Sequence, residues 1–585
     1  MGKFIRCAIA SLTTFVLISC GGGGGGSAAG TNSATSPPVS STEVSGINSD
    51  IKTFKFSWAD VSDASFYRLF ENPDLISGFS QVSGDIASGV GTFSHTVPLH
   101  KRPNAQYSIA SCNSAGCTDG TFMIASDIDN FTNAIGYFKA SNTGTNDSFG
   151  YSVSLSGDGK TMAVGAIHED SAATGINDNQ SDNSISDSGA VYVFSMTDTG
   201  WAQQAYIKPS NTTTNHRFGT SVSLSGDGNT LAVGTLISPK AYVFSRTGST
   251  WSEQAIIESN IAPFQGGFGN QVSISSDGNT LAVGSPLDSG TGAAYIFVRS
   301  GSNWSQQAYI KASNADAQDS FGTALHLSSD GNTLAVGAFQ EDSSASGING
   351  IEGNNLPQGG SSGAAYVFTR DSNSWSQQAY IKASNPGLVA TFGRSISLSA
   401  NGDTLVVGSD REGSTALGID GGQTTSGSNF SGATYVYTRS GSAWSQQAYI
   451  KADRAVQGFG TSIDLSDDAN TLIVGTEAVL SGLNYSGVSG SGGFNGSAVR
   501  AGIAFVFTRN NSSWIQESFV NASNAEEGDY FGGSVALSAD GNTLAVGARL
   551  EDSAATGVGG DQSDNSLSVG AGSTSEGSAG AVYLF

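Results

Sequence analysis

Two acidic loops of closely related sequence hold the side chains that are best suited to binding a cation. One reads HEDSAATGINDNQSDNS (168–184) and the other reads LEDSAATGVGGDQSDNS (550–566). Clustered carboxylate and amide oxygens are the ligands that Ca²⁺ and similar cations prefer. The alternative is that Asp, Asn, Ser and Gly here only form turns, through side-chain to backbone hydrogen bonds. The candidate ligands are Glu169, Asp170, Asp178 and Asp182 in the first loop and Glu551, Asp552, Asp561 and Asp564 in the second.

Catalytic motifs are not apparent in the sequence. The five histidines lie in different segments, and none has the HxH or HExxH spacing of a metal site. A Walker phosphate loop is also missing. The sequence leaves open whether two carboxylates form the catalytic pair of a glycoside hydrolase, because Asp and Glu are abundant and their geometry is not known from sequence. We therefore expect a protein that is not an enzyme.

A line of sequence that recurs along most of the chain must supply the elements that position these loops. One copy reads FGTALHLSSDGNTLAVGA (321–338), in which an Asp-Gly turn joins two strand candidates. Strands of the types GAAYVF and WSQQAYIKAS follow, so each unit has four strands and the units repeat every 50 to 72 residues. The Phe-Gly pairs stand at 149–150, 218–219, 268–269, 321–322, 392–393, 459–460 and 531–532.

The last unit lacks its fourth strand, and a matching strand stands before the first unit. The sequence stops at Phe585 after a third strand, whereas NAIGYFKAS (133–141) resembles the fourth strands of the type QQAYIKAS. Pairing of 133–141 with the last unit would close a ring and leave no open sheet edge. The sequence therefore predicts an all-β ring in which this segment is the outer strand of the seventh unit.

The FG…LAVGA pattern resembles the FG-GAP repeats found at the N-terminus of integrin α-subunits and in many bacterial surface proteins. The resemblance covers about 130–585, and the predicted domain is 127–585. It implies a seven-bladed β-propeller, frequently with Ca²⁺ in its blades and ligand on one face. It implies no single activity.

The Ca²⁺ motif of that family is degraded here. Several oxygen ligands are needed in the turn between the first two strands, yet the turn at Asp158 keeps one carboxylate and has Met162 at the last ligand position. Asp464 and Asp468 come nearest to the pattern, but Leu472 occupies their last position. We expect structural turns there, and Ca²⁺ remains possible without being expected.

Residues 47–126 form a separate domain that resembles fibronectin type III. TFKFSWADV alternates apolar and polar residues as a half-buried strand does, and Trp58 stands where that family has its core Trp. Cys112 and Cys117 flank a predicted hairpin turn, which favours a disulfide in an exported protein. The alternative is half of a metal site.

The N-terminus is typical of an exported lipoprotein. Residues 1–19 have a basic start and an apolar run, and LISC resembles a bacterial lipobox in which Cys20 is lipidated. The alternative is an ordinary signal peptide that contains a Cys. Residues 20–46 are rich in Gly, Ser and Pro and predict a flexible tether. We expect the outer membrane or cell surface of a bacterium, with the lipid as the only membrane contact.

Charge and loop length suggest how such a protein would work. A formal net charge of −24 disfavours nucleic acid as a partner, although acidity by itself also serves solubility. The loops between second and third strands are long in units 4, 5, 6, 7 and 1 and short in units 2 and 3, which predicts a wall on one face. We expect a monomeric binding or adhesion protein with an unknown protein or glycan ligand. The alternatives are a structural spacer and a hydrolase or lyase of polysaccharide.

Overall fold

A computed structural model of the chain describes residues 36–38, 40, 42–124, 132–258, 266–351, 360–424, 430–476, 478–479, 487–489, 501–564, 566–567 and 577–585. These ranges contain strands and no α-helix, so the predicted all-β class is confirmed. Searched over the same ranges, the chain has no helix that is both long and apolar enough to cross a membrane. The predicted signal peptide (1–19) and Cys20 lie outside the described residues. The short 3₁₀ turns are Leu99–Lys101, Thr132–Ala134 and Asp288–Gly290.

Eight strands form two sheets ahead of the repeats. They are β1 (Val44–Asp50), β2 (Thr53–Trp58), β3 (Phe66–Asn72), β4 (Ser80–Gln81), β5 (Ile86–Ala87), β6 (Thr92–Thr96), β7 (Gln106–Asn113) and β8 (Gly116–Ile124). One sheet has the order β1-β2-β6, and the other has the order β4-β3-β7-β8 with β5 beside β3. Alternation along β2 turns Phe54 and Phe56 inward, where both rings pack on Tyr107. Residues 42–124 are called the N-terminal unit below.

A disulfide joins Cys112 of β7 to Cys117 of β8. The two residues face each other directly in the antiparallel register, one step from the turn between Asn113 and Gly116. The loop that the bond closes is short, so the bond restricts the unfolded chain less than a long-range disulfide would.

The described strands of the repeats form seven sheets of four or five strands and one separate two-stranded pair, and β9 (Gly136–Phe138) precedes them. Sheets 1 to 3 are built from β10 (Phe149–Leu155), β11 (Thr161–Ala166), β12 (Ala190–Thr197), β13 (Gly200–Ile207), β14 (Phe218–Leu224), β15 (Thr230–Thr235), β16 (Lys240–Thr247), β17 (Thr250–Glu258), β18 (Gln271–Ile274), β19 (Thr280–Ser285), β20 (Ala293–Ser300) and β21 (Asn303–Ile310). Sheets 4 and 5 are built from β22 (Ala324–Leu327), β23 (Thr333–Ala338), β24 (Ala364–Asp371), β25 (Ser374–Ile381), β26 (Ser395–Leu398), β27 (Thr404–Ser409), β28 (Ala433–Ser440) and β29 (Ala443–Ile450). The remaining strands are β30 (Val456–Gln457), β31 (Ser462–Leu465), β32 (Thr471–Thr476), β33 (Ala478–Val479), β34 (Gly487–Ser489), β35 (Ile503–Asn510), β36 (Ser513–Asn521), β37 (Phe531–Leu537), β38 (Leu544–Ala548) and β39 (Ala581–Leu584).

Each of sheets 1 to 5 has four antiparallel strands in chain order, as the repeat pattern predicts. Sheet 6 has the order β31-β32-β35-β36-β34, and β30 pairs separately with β33. Sheet 7 has the order β37-β38-β39-β9, with Tyr137 opposite Tyr583. A strand from before the repeats thus occupies the edge of the last sheet.

Glycine in the second strand lets neighbouring sheets approach closely. A Cβ on Gly165 in β11 would lie 2.1 Å from the carbonyl oxygen of Gly219 in sheet 2, which no side chain could tolerate. Gly234 meets Gly269 of the next sheet in the same way, at 2.0 Å. The recurring AVG of the sequence therefore reflects sheet-to-sheet packing as well as strand formation.

Contacts between the sheets run in chain order and return to the start. β10 contacts β14, the series continues through β18, β22, β26, β31 and β37, and β37 contacts β10. Backbone hydrogen bonds link the turns after these strands in the same cyclic order, through Gly157, Gly226, Ser276, Ser329, Ala400, Asp467 and Ala539. The last bond, from the N–H of Ala539 to the carbonyl oxygen of Gly157, measures 2.9 Å.

The N-terminal unit packs against sheets 6 and 7. His100 Nε2 lies 3.0 Å from the carbonyl oxygen of Gly541, and Lys101 Nζ donates to Asn542 Oδ1 at 3.2 Å. Apolar residues of the unit and of these two sheets share one buried cluster. The two parts of the chain therefore have a continuous core.

Candidate functional site

A buried ion pair fixes the loop between the second and third strands of sheet 1. Glu169 follows β11 and Lys208 follows β13, and Lys208 Nζ lies 2.7 Å from Glu169 Oε2. Tyr206 OH donates to Glu169 Oε1 at 2.8 Å, and Asn142 Nδ2 donates to the same oxygen at 3.1 Å. Both carboxylate oxygens are engaged, so Glu169 holds its loop to strand β13.

Equivalent pairs occur in three other sheets. They are Glu341 with Lys382 in sheet 4, Glu412 with Lys451 in sheet 5, and Glu551 with Lys139 in sheet 7. In sheet 7 the lysine comes from the segment 133–141, so β9 brings the partner of the predicted ligand Glu551. In sheet 2, Ser238 stands at the position of the Glu and Glu258 stands at the position of the Lys, and the loop is short. Sheet 3, whose loop is also short, has Asp288 and Lys311 at these positions, with Lys311 Nζ 3.7 Å from Asp288 Oδ1. An acid-lysine contact therefore also occurs beside a short loop, whereas the fully buried Lys-Glu pairs lie beside long ones.

Burial makes these pairs interdependent. Burial lowers the pKa of Lys208, and the nearby Glu169 carboxylate opposes that shift. The same two causes act on Lys139, Lys382 and Lys451. A buried charge whose partner is removed loses the interaction that offsets its desolvation. Removing either residue of a pair should therefore destabilise the fold more than replacing both by apolar residues.

Buried aspartates lie beside three of the pairs and escaped the sequence analysis. Asp147 Oδ2 accepts the N–H of Gly144 at 2.8 Å, and Asp319 Oδ2 accepts the N–H of Asp316 at 2.7 Å. Burial raises the pKa of Asp147 to about 7, with Glu169 adding to the shift, and burial raises the pKa of Asp319 to about 7. Burial also raises the pKa of Asp529 in sheet 7. Their shared signal in the sequence was an Asp two positions before the Phe-Gly pair, which occurs only in sheets 1, 4 and 7.

The other predicted ligands of the first loop act within its turns. Asp170 Oδ1 accepts the N–H of Asp187 at 2.8 Å. Asp178 and Asp182 each accept a backbone N–H from their own loop, at 3.3 and 2.9 Å. This is the turn-forming alternative of the sequence analysis.

The second loop repeats this arrangement. Asp561 and Asp564 accept the N–H of the residue two positions later, at 2.9 and 3.1 Å. Asp552 directly follows the buried Glu551. In the part of the chain that the structure describes, no group of three or more His, Cys, Asp or Glu residues is arranged to hold a metal ion.

Asp464 and Asp468 also have structural partners. Asp464 Oδ2 accepts the N–H of Leu537 in sheet 7 at 2.8 Å, and Ser397 Oγ of sheet 5 donates to its Oδ1 at 3.1 Å. Burial raises the pKa of Asp464 to about 6. Asp468 caps its own turn by accepting the N–H of Asn470 at 2.9 Å. The structure therefore places Asp464 between sheets and Asp468 in a hairpin, and does not bring them together as a ligand set.

The histidines are dispersed and engaged locally. His326 Nδ1 accepts the N–H of Leu398 in the next sheet at 3.1 Å, and burial lowers its pKa to about 4. His216 bonds to Tyr242 OH at 3.0 Å, and burial lowers its pKa to about 4. His168 Nδ1 lies 3.1 Å from Ser148 Oγ. These histidines serve as neutral hydrogen-bonding groups.

Arginine and tryptophan link neighbouring sheets. Arg246 of sheet 2 reaches Thr161 Oγ1 of sheet 1 at 3.2 Å, and its guanidinium lies 5.3 Å from the ring centre of Trp251. Trp251 Nε1 donates to Gln204 Oε1 of sheet 1 at 2.8 Å. Four later sheets repeat the Arg-Trp contact with Arg299, Arg370, Arg439 and Arg509.

The first strands of the seven sheets surround two open cavities that are separated by aliphatic side chains. The residues that border both are Gln271 and the aliphatic residues Val153, Val222, Leu325, Ile396, Ile463 and Val535. The cavity on the side of the hairpin turns has a volume of about 250 Å³ and includes Asp464, Asp467 and His326 in its wall. The other cavity, called the mouth below, has a volume of about 500 Å³.

The mouth opens where the first strands begin, which is the side of the loops between second and third strands. Its wall carries Arg394 and Arg549 and contains no Asp or Glu. Most of the remaining wall consists of hydroxyl and amide side chains directly after the Phe-Gly pairs, such as Thr220 and Asn270. The sequence analysis missed both arginines, because they stand in different sheets and at different positions of the repeat.

Comparisons with known proteins identify the repeat. No curated protein sequence matches this chain. Solved structures that it resembles include the β-propeller domain of Cps50 (Swd1) from Myceliophteria thermophila, at 10% identity and a TM-score of 0.42, covering 70% of this chain and 95% of that one. They also include a putative 6-phosphogluconolactonase from Bacteroides uniformis, at 9% identity and a TM-score of 0.39, covering 78% and 98%. An oligogalacturonate lyase from Vibrio parahaemolyticus is similar at 7% identity and a TM-score of 0.39, covering 77% and 92%.

The sequence family match is more specific than these structural similarities. Five segments match the FG-GAP repeat, at residues 136–194, 201–244, 251–297, 304–368 and 514–563. They fall on sheets 1 to 4, on the end of sheet 6 and on the start of sheet 7. This chain therefore carries FG-GAP repeats.

Proposed function

We propose that the seven sheets are the blades of one closed β-propeller and that this propeller is a binding scaffold without catalytic activity. The cyclic hydrogen bonds from Gly157 round to Ala539 support closure, as does the pairing of β9 with β39. The N-terminal unit, with its two sheets around Trp58, is proposed to be a fibronectin type III-like domain.

The observation that carries the binding function is the anchoring of the long loops. Loops of this length on a rigid sheet scaffold are common binding surfaces. In sheets 1, 4, 5 and 7 a buried Lys-Glu pair fixes the start of the loop to the fourth strand. A surface that is ordered before binding loses less conformational entropy on binding, so anchoring favours affinity. Structural partners engage the carboxylates of Glu169, Asp170, Asp178, Asp182, Glu551, Asp561 and Asp564. This engagement favours binding over hydrolysis.

We further propose that the protein is exported, lipid-anchored at Cys20, and displayed at the outer membrane or cell surface of a bacterium. The basic and apolar residues 1–19 and the LISC sequence support this location. The Cys112–Cys117 disulfide suits an oxidising compartment. The ligand is proposed to be a protein or glycan, bound by a monomer.

The test is a glycan array probed with the full chain and with a loop-shortened variant. In the variant, the loops of sheets 1 and 7 are replaced by the short LISPK loop of sheet 2, which has Ser238 in place of the buried Glu. Lys139 and Lys208 are changed to Met in the same variant, so that no buried charge is left unpaired. Binding by the parent and loss in the folded variant would support a binding scaffold.

The two rival functions predict other results. A spacer would bind nothing, and a polysaccharide hydrolase or lyase would release shorter products from a bound glycan. Product release that survives the loop replacement would overturn the proposal.

A further inference from the structure

We propose that the mouth binds an acidic sugar, with Arg394 and Arg549 binding its carboxylate and the surrounding hydroxyl and amide groups binding its hydroxyls. This proposal rests on the binding function proposed above and names its ligand class. The mouth holds about 500 Å³, within the usual range of roughly 300–1,000 Å³ for small-ligand sites. It is large enough for a short oligosaccharide.

The charge of the mouth is opposite to that of the chain. The chain has 49 acidic and 25 basic residues, yet the wall of the mouth has two arginines and neither acidic nor lysine side chains. Local positive charge in a strongly acidic protein attracts an anion and orients it toward the site. An acidic wall would be expected if composition alone decided the lining.

Arg394 is presented for contact with a ligand. It directly precedes β26, its side chain is exposed, and its guanidinium lies 5.2 Å from the ring centre of Phe339 in sheet 4. Within the described residues, Arg394 has no carboxylate at ion-pair distance. The aromatic ring restricts the guanidinium while leaving its N–H groups available, which suits two-point binding of a carboxylate.

Arg549 approaches the same cavity from another sheet. It directly follows β38, it is half-buried, and its guanidinium lies 4.8 Å from the ring centre of Tyr530. Two guanidinium groups from sheets 5 and 7 thus border one cavity. Each can donate planar pairs of hydrogen bonds, which lysine cannot do.

The rest of the wall fits the hydroxyl groups of a sugar. Thr220, Asn270, Gln271, Thr323 and Thr461 line the mouth and have hydroxyl or amide side chains. The hydroxyls of Thr220 and Thr323 donate to backbone carbonyl oxygens and keep their capacity to accept. Tyr151, which has an aromatic ring, also lines the mouth. A site for a simple inorganic anion would not need this range of donors and acceptors. Aliphatic side chains from Val153 to Val535 line the inner end of the mouth and also border the cavity on the side of the hairpin turns.

The experiment measures binding of digalacturonate to the full chain by calorimetry, with its methyl ester as the uncharged analogue of the same hydroxyl pattern. We expect saturable binding of the acid, binding of the ester that is at least tenfold weaker, and weaker binding at higher salt. Arg394→Gln and Arg549→Gln should each lower the affinity about tenfold or more, as expected for a lost charge-assisted hydrogen bond. Unfolding midpoints equal to the parent's would show that the variants are folded.

Arg411→Gln is the matched control. Arg411 is exposed in the loop of sheet 5 and does not line the mouth, so this variant removes the same charge and should change the affinity less than about twofold. Equal losses in all three variants would overturn the proposal, because they would indicate a general charge effect.

Three further results would contradict the acidic sugar. Equal binding of acid and ester excludes carboxylate recognition, and competition by inorganic sulfate at the same affinity excludes sugar recognition. A ligand found on the glycan array that needs the loops but not the arginines would overturn this site while leaving the binding function intact. Absence of any ligand in both experiments would count against both proposals.

Discussion

Lys52 of the N-terminal unit donates a hydrogen bond from Nζ to Oγ1 of Thr543 in sheet 7, at 2.6 Å. The same Nζ donates to the carbonyl oxygen of Asn542 at 2.8 Å. In sheet 1 the equivalent threonine, Thr161, receives its hydrogen bond from Arg246 of the following sheet. The residue of sheet 1 that corresponds to Arg246 is Met196, which cannot donate. The N-terminal unit therefore supplies an inter-sheet contact that the repeats lack at this junction.

Lys52→Met should loosen the contact between the N-terminal unit and sheet 7. The variant leaves Thr543 and the carbonyl oxygen of Asn542 without their donor, which costs about 1–2 kcal/mol of unfolding free energy. Hydrogen exchange at Asn542 and its neighbours should accelerate. Lys55→Met is the control, because Lys55 is exposed and should change stability by less than about 0.5 kcal/mol. Equal exchange rates in both variants would refute the bridging role.

Lys382→Met should be strongly destabilising, because it leaves Glu341 buried without its cation. Breaking one side of a buried pair costs about 3–5 kcal/mol, whereas replacing both partners by apolar residues costs much less. Chemical denaturation should therefore rank Lys382→Met below the double variant Lys382→Met with Glu341→Leu. Lys160→Met in sheet 1 is the control, because the side chain of Lys160 is exposed in the turn between β10 and β11 and should change stability by less than about 0.5 kcal/mol. A double variant as unstable as the single one would contradict this account.

Asp319→Asn should change the pH dependence of stability. Burial raises the pKa of Asp319 from 3.8 to about 7, so the folded state keeps the proton to higher pH than the unfolded state does. The stability from this group is complete below about pH 4 and is lost as the pH rises through 7. The variant should be more stable than the parent at pH 8, by about 1 kcal/mol, with a smaller decrease in stability between pH 4 and 7. Asp371→Asn, an exposed change in the same sheet, is the control and should change stability by less than about 0.5 kcal/mol.

Calcium should not stabilise the folded chain. The carboxylates of Glu169 and Glu551 already bind Lys, Tyr and Asn donors, and Asp178 and Asp561 accept backbone N–H groups of their loops. A ligand that binds only the folded state raises the unfolding midpoint, so midpoints in millimolar CaCl₂ and in EDTA should agree within about 1 °C. A calcium-dependent increase that disappears in Asp561→Asn would show that the loops do bind the ion.

Cys20→Ser should release the protein from the membrane. The thiol is the proposed acylation site, so the variant should incorporate no labelled lipid and should move to the soluble fraction. Cys112→Ser with Cys117→Ser is the control, because that pair is bonded in the N-terminal unit and should not affect lipid incorporation. An unchanged membrane fraction for Cys20→Ser would exclude the anchor.

Much of the strand architecture could be predicted from sequence because its causes are local. The Asp-Gly turns fix hairpins, since Gly159 and its equivalents adopt positive φ. Apolar runs such as TLAVGA indicate strands buried on both faces, and the likeness of 133–141 to other fourth strands indicated a partner for the last unit. The four-stranded units, the all-β class and the FG-GAP repeat are confirmed. The number of blades, the fibronectin type III-like domain and the location remain predictions.

The roles of the acidic residues could not be predicted in the same way. Glu169 resembled a cation ligand because its neighbours in sequence are acidic, but its partner Lys208 lies 39 residues away. The sequence did contain a signal, since the Lys of IKAS is replaced by Glu258 in the sheet whose loop lacks the acid. To interpret this paired replacement, one must know that the start of the loop and the end of the fourth strand lie in contact.

The sequence by itself determined the repeating strands, their turns and the order in which they pair, because these depend on backbone preferences and on the period of apolar residues. Only the tertiary structure decided which charged and polar groups lie near each other. Lys52 reaches Thr543 across 491 positions, and Arg394 and Arg549 border one cavity from different sheets. Such contacts depend on how rigid sheets pack around a common centre, and burial then strengthens each electrostatic contact by excluding water.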